Sequence, residues 1–186
     1  VALPLNERRE GIPSILIHGI TASPYFWTDH LAAPFTALGP CYALTLPGHY
    51  PARFPETMTT GALTAEAVAE VVAGAVEALV GDRPLLLVGH STGGFAVLAV
   101  AALSRVRVQG LISISGFAQG RWTGELGRQQ RYIRSGRLGQ AYFKTVSRIG
   151  RLHPAIFRAA LRTFADDAAG MYSHAEFDRL IRATYP

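Results

Sequence analysis

Residues 85–94 read Leu85-Leu86-Leu87-Val88-Gly89-His90-Ser91-Thr92-Gly93-Gly94. Four apolar residues of strand type run into a Gly-His-Ser-Thr-Gly turn, and an apolar helical pattern begins directly behind it. A serine exposed on so tight a turn needs small neighbours, because a side chain at either flanking glycine would collide with the crowded backbone. The bare G-x-S-x-G pattern recurs by chance in a chain with 19 glycines, so its weight comes from the strand before it and the helix after it. Ser91 is the first candidate nucleophile, with Gly89, His90 and Gly93 supporting the turn and Gly94 easing close approach of helix to strand.

Working outward from that stretch, the same alternation repeats. Ser14–His18 is a short apolar run ending at Gly19, as a buried parallel strand would be. After a turn-rich loop, Ser23 and Pro24 suit the N-cap and first position of a helix reaching about Leu38, with Phe26, Trp27, Leu31 and Phe35 inside. Cys41–Leu46 reads as the next strand, ended by Pro47-Gly48-His49. Thr64 can cap a helix that carries Glu66 in its first turn and Val68, Val71, Val72, Val76 and Leu79 at helical spacing. Residues 81–84 turn the chain into the strand before Ser91; Phe95–Leu103 then reads as a buried helix and Val108–Ser115 as a further strand. The order predicts an α/β fold, a mostly parallel sheet with flanking helices and right-handed crossovers. Ligands of such sheets collect at the carboxyl ends of the strands, where Ser91 and the loop after His18 both fall.

Beyond Gly116 the pattern turns helical. Leu138, Tyr142, Val146 and Ile149 form one stripe; His153-Pro154 opens a second helix with Phe157, Leu161 and Phe164 inside and Arg158 and Arg162 outside; Ser173–Glu176 has capping-box form ahead of Phe177, Leu180, Ile181 and Thr184. The expected organisation is a core over 1–116 and a helical cap over 117–186.

With 186 residues, 49% of them hydrophobic and 17% charged, the chain is long enough for one well-packed core and too apolar for disorder. The single Cys41 excludes an intrachain disulfide and lies in an apolar run, as a buried structural thiol would. Nothing resembles a metal site, and no cofactor is expected. The net charge is +5, and its excess is local: between Phe117 and Arg162 stand nine Arg and one Lys against Glu125 alone. These arginines alternate with apolar helical positions and read as a solvated face, so neither a nucleic-acid nor a membrane partner is expected. No apolar run approaches the roughly 18 residues that cross a bilayer, and the first residues lack a signal-peptide pattern. The expected location is cytoplasmic, although a chain that starts at Val1 leaves an upstream export signal open.

Three signatures now stand in order: His18-Gly19 ending a strand, Pro47-Gly48-His49 after the next, and Gly89-His90-Ser91-Thr92-Gly93-Gly94. Over residues 12 to 116 the chain resembles the α/β-hydrolase fold superfamily, in its branch with a helical cap. The resemblance implies that Ser91 attacks a carbonyl carbon to give an acyl-enzyme. It implies an oxyanion hole made by the backbone N–H groups of Thr92 and Ile20, and a structural role for His18 and Gly19. In that family an acid and then a histidine follow the serine on later loops, and the sequence behind Ser115 offers neither an apolar strand nor an exposed Gly-His pair. His18 and His90 already have places in the motifs, His30 falls on a helix exterior, and His49, His153 and His174 are poor candidates for the base, as are Asp166 and Asp167 for the acid. The expectation is that this chain is truncated before its triad acid and histidine and lacks the full triad by itself.

The activity implied is that of a serine hydrolase of carboxylic ester hydrolase type, an esterase acting on a small-molecule ester, lactone or amide. Thioester hydrolysis, acyl transfer, carbon–carbon bond hydrolysis and cofactor-free haloperoxidase chemistry stay open, whereas dehalogenases and epoxide hydrolases of this fold place Asp where Ser91 stands. Tyr25, Phe26 and Trp27 beside the oxyanion loop, with the apolar cap faces, point to a hydrophobic substrate. The alternative is a non-catalytic hydrolase-like module that binds a ligand or regulates a partner; a third reading gives the arginine-rich cap a polyanion or membrane surface to bind.

Overall fold

Strands that are apolar at every position need cover on both faces, and the chain supplies it with helices. A computed structural model describes residues 1–20, 22–27, 29–54, 56–57, 62–118, 128, 131–153, 155–156 and 174–184. Among them are strands β1 (Ala2–Pro4), β2 (Ser14–Ile17), β3 (Cys41–Leu44), β4 (Leu85–His90) and β5 (Val108–Ile114). The helices are α1 (Asp29–Thr36), α2 (Ala65–Val80), α3 (Thr92–Leu103), α4 (Arg137–Leu152) and α5 (His174–Thr184). The chain divides into two compact units, Val1–Ala118 and Gln119–Pro186.

The first unit holds the sheet, in the order β1-β3-β2-β4-β5. Strands β3, β2, β4 and β5 run parallel, and β1 joins antiparallel to β3 through Ala2 opposite Leu44 and Pro4 opposite Tyr42. Successive side chains point to opposite faces. Ile15, Ile17, Leu85 and Leu87 therefore pack with Val72 and Val76 of α2 and Val97 and Val100 of α3, while Leu16 and Val88 pack on the other face with Cys41, Trp27 and Ala32. Burying a side chain the size of Leu87, which is wholly inaccessible, contributes about 2 kcal/mol. The Cys41 thiol is free and buried, and burial pushes its pKa up to about 12.

Local rules place α2 well. Thr64 Oγ1 accepts from the Ala67 N–H at 3.2 Å, Glu66 lies in the first turn, and Gly81, at φ 67°, stops the helix. The helix expected from Pro24 to Leu38 is instead broken. Pro24–Phe26 forms a 3-10 turn, Trp27 leaves helical geometry at φ −83°, ψ 83°, and α1 begins at Asp29. The cause is packing: Trp27 is 4% exposed and sits edge-on to both Phe26 and Phe35, so its burial overrides the periodic pattern. The strand expected over Cys41–Leu46 ends at Leu44, and the helix expected from Phe95 begins at Thr92.

In the second unit α4 and α5 are in contact, and α5 buries Phe177, Leu180 and Ile181. The predicted stripe of α4 exists but faces out. Leu138, Tyr142, Val146 and Ile149 are all exposed, whereas Gly139, Ser147 and Gly150 are buried. A Cβ on Gly139 would overlap the carbonyl oxygen of Tyr132, so that face can approach its neighbours only because it is small. His153 is the exposed C-cap of α4, its N–H donating to the Ile149 carbonyl at 2.8 Å, and its own carbonyl accepts the Ile156 N–H at 2.9 Å where Ala155 and Ile156 are helical, as expected of a helix opening there. Pro154 and the rest of that expected helix from Phe157 through Phe164, the acids Asp166 and Asp167, and the Ser173 end of the capping box lie outside the described residues.

Candidate active site

Ser91 is placed by the meeting of β4 and α3. It is the N-cap of α3 at φ 53°, ψ −113°, a positive φ that costs a residue with a Cβ roughly 1–3 kcal/mol and persists only where surrounding structure enforces it. The enforcement is visible. The Ser91 N–H donates to the Ile114 carbonyl of β5 at 2.9 Å, and its own carbonyl accepts the first helical bond from Phe95 at 3.2 Å. The flanking glycines are steric requirements: a Cβ on Gly89 would overlap the Gly93 backbone, and one on Gly93 would overlap the Ile17 carbonyl oxygen and come within 2.6 Å of that of His18. Gly94 faces Gly116 in the same way, 2.7 Å separating its would-be Cβ from the Gly116 Cα.

The loop after β2 meets the elbow. A Cβ on Gly19 would stand 3.1 Å from the Ser91 Cβ and 3.1 Å from His90 Nδ1. Ile20 follows directly and is half exposed. The Thr92 amide is at the first turn of α3, where N–H groups have no intrahelical acceptor and the helix dipole is positive. The chain thus brings Ser91, Thr92, Gly19 and Ile20 to the carboxyl ends of β2 and β4.

Three imidazoles surround this point, and their bonding fixes their state. His18 is fully buried; its Nδ1–H donates to the Gly19 carbonyl at 2.8 Å and its Nε2 accepts the Leu46 N–H at 3.2 Å. Burial first, then the neighbouring His49 and His90, lowers its pKa to about 4 against the opposing Gly19 bond, so the ring is neutral. His49 lies edge-on to His18 at 5.2 Å and donates from Nδ1 to the Pro47 carbonyl at 3.1 Å; burial holds its pKa below the usual histidine value. His90 stacks on Phe26 at 4.9 Å with its pKa likewise lowered by burial, and its buried Nδ1 has no hydrogen-bond partner among the described residues. Among the described residues the hydrogen bonds of these rings go to backbone, and none goes to a carboxylate. Among those residues no cluster of His, Cys, Asp and Glu could hold a metal ion, and no helix is long and apolar enough to cross a membrane.

Sequence reasoning missed one participant: Leu46 anchors the His18 ring through its amide and carries no motif signal, because it acts through backbone. Phe26, expected beside the oxyanion loop, covers the His90 face. Of the aromatic trio expected to face substrate, Trp27 is core, Phe26 is engaged with His90, and Tyr25 alone is exposed.

Comparison with known proteins agrees with the fold. Residues 15–185 match the model of the alpha/beta hydrolase family. No curated protein matches the sequence. Among solved structures, the Cif epoxide hydrolase from Acinetobacter nosocomialis superposes with a TM-score of 0.66 at 15% identity, over 97% of this chain and 59% of its own. A thermophilic esterase from Thermogutta terrifontis gives 0.62 at 19% identity, over 100% and 61%. A bacterial membrane phospholipase A, described as a virulence factor, gives 0.58 at 27% identity, over 70% and 40%. The chain spans less than two thirds of the length of each.

Proposed function

The chain belongs to the alpha/beta hydrolase family, and from that premise we propose that it is a serine hydrolase of carboxylic ester type, with Ser91 as nucleophile. The observation that carries the reading is Ser91 itself, held at positive φ between two obligatory glycines at the end of β4 and the start of α3. A structural serine gains nothing from that strain, whereas a nucleophile gains exposure at a helix N-terminus.

In the proposed reaction, Ser91 Oγ bonds to the carbonyl carbon of a small ester, lactone or amide, and its proton passes to a general base. The carbonyl π-electrons move onto oxygen, which is met by the N–H groups of Thr92 and Ile20. Collapse expels the alcohol or amine, protonated by the same base, and leaves an acyl-enzyme that water then hydrolyses. Preorganised amides suit this work because they need not reorient as charge develops; removing one such donor costs about 3–4 kcal/mol of transition-state stabilisation. His18 and Gly19 hold the Ile20 amide. The base and its orienting acid are assigned to none of the described residues. Small esters remain the favoured substrate class over epoxides, since Ser91 stands where an epoxide hydrolase of this fold uses Asp.

Incubation with a fluorophosphonate followed by intact-mass and peptide analysis tests the reading. One adduct on Ser91, lost in Ser91→Ala with unchanged far-UV circular dichroism, is expected. A full-length protein that stays unlabelled would transfer the site to a non-catalytic ligand-binding role.

A further inference from the structure

Helix α4 has three faces where a core helix has two. Gly139, Ser147 and Gly150 are buried. Leu138, Tyr142, Val146, Ile149 and Leu152 recur at steps of four or three, which keeps them on one side of a 3.6-residue helix, and that side is open: Leu138 is 80% exposed and Leu152 72%. Arg137, Lys144 and Arg148 form a third, exposed row, and Arg131 and Arg134 precede them, also exposed. From Arg128 to His153 the sequence contains no Asp or Glu.

Single exposed apolar side chains are ordinary, but five in register along one helix of about 24 Å are not. The charge row decides what could cover them. A second copy of the same helix would set cation against cation, and a nucleic acid would engage the basic row while leaving the apolar stripe in water. An anionic bilayer satisfies both at once, taking the stripe below the headgroups and the cations at their level. We propose that α4 is an interfacial helix that seats the chain on an anionic phospholipid surface, the stripe from Leu138 to Leu152 entering the headgroup boundary and Arg137, Lys144 and Arg148 meeting lipid phosphates. This does not depend on the catalytic reading.

The test is co-sedimentation of the 186-residue chain with vesicles of phosphatidylcholine and phosphatidylglycerol, and with vesicles of phosphatidylcholine alone. Partition into the anionic vesicles only, weakening as salt rises, is expected. Arg137→Gln with Arg148→Gln should weaken it about fivefold per charge, and Leu138→Ser with Ile149→Ser at least tenfold. These side chains are exposed, so the melting curves should not change. Absence of partition, equal partition into neutral vesicles, or an apolar double variant that binds like the parent would overturn the proposal. So would a duplex oligonucleotide bound equally by parent and apolar variant without vesicle binding, or a dimer on gel filtration that the apolar variant abolishes.

Discussion

Glycine to alanine is favourable in the middle of a helix, by about 0.5–1 kcal/mol, because alanine has less backbone entropy to lose. Two glycines of this chain test whether the elbow reverses that sign. Gly74 is an exposed position of α2, and a Cβ there meets nothing within 4 Å. Gly93 is in the first turn of α3, and its Cβ would overlap the Ile17 carbonyl oxygen and stand 2.6 Å from that of His18. Both obstacles are backbone of β2 and its exit loop, so relief requires α3 and β2 to separate by about 1 Å within a close-packed core. Overpacking of that kind costs about 1–3 kcal/mol. Gly74→Ala should therefore gain about 0.5–1 kcal/mol and Gly93→Ala lose about 2 kcal/mol, a contrast near 3 kcal/mol between identical substitutions. In thermal unfolding that is a rise of about 2 °C for the first and a fall of about 4–8 °C for the second. Because the separation moves the Thr92 amide away from the Gly19–Ile20 loop, Gly93→Ala should also slow fluorophosphonate labelling, which Gly74→Ala should leave alone. If the two variants melted within about 1 °C of each other, the steric account of the elbow would be wrong.

The remaining predictions concern strain and charge. Ser91→Gly should relieve the positive φ and stabilise the fold by about 1 kcal/mol while abolishing labelling, whereas Ser91→Ala should abolish labelling without that gain; equal stability of the two variants would count against stored strain. Folding holds His18 near pKa 4 against an ordinary value of 6.5. The unfolded chain therefore takes the proton first, and this contribution, about 3 kcal/mol, is present above pH 6.5 and is lost as pH falls toward 4. His49 and His90, also lowered, act in the same direction. Urea midpoints at pH 7.5 and 4.5 should separate more for the parent than for His18→Gln; equal separations would show that the ring does not carry this linkage.

What could be read from the sequence was what neighbouring residues decide. The apolar runs of β2, β4 and β5, the Thr64 cap and the Gly-flanked Ser91 depend on residues within a few positions of one another, and each was visible. β1 was not, because Ala2-Leu3-Pro4 is too short to show alternation and acquires its conformation from pairing with Tyr42–Leu44. The break at Trp27 depends on Phe35 and Leu16, the latter from a different element. On α4 the period was legible but the direction was not: a stripe of leucine and isoleucine reads as inward until the glycines beside it are seen to be the packed face. The same division holds for the site. The elbow is local; the Leu46 amide that fixes His18, 28 residues away, is not.

That distant bond gives His18 its part in the site. With Nδ1–H given to Gly19 and Nε2 occupied by Leu46, the ring has no lone pair free for a substrate proton, so it does not act as a base. It ties the exit of β2 to the exit of β3, and the residue it grips, Gly19, lies beside Ser91, so close that an added Cβ would stand 3.1 Å from the Ser91 Cβ. Protonation would place a hydrogen on Nε2, directly against the Leu46 N–H, and break the tie from that side. The oxyanion loop is therefore held by a neutral histidine whose neutrality comes from its burial and from the neighbouring His49 and His90 imidazoles. Acid should accordingly impair the site before it unfolds the sheet: labelling of Ser91 should fall at a higher pH than the loss of far-UV ellipticity. Coincidence of the two transitions would mean that the His18 bridge is part of the global fold and not a local support of the elbow.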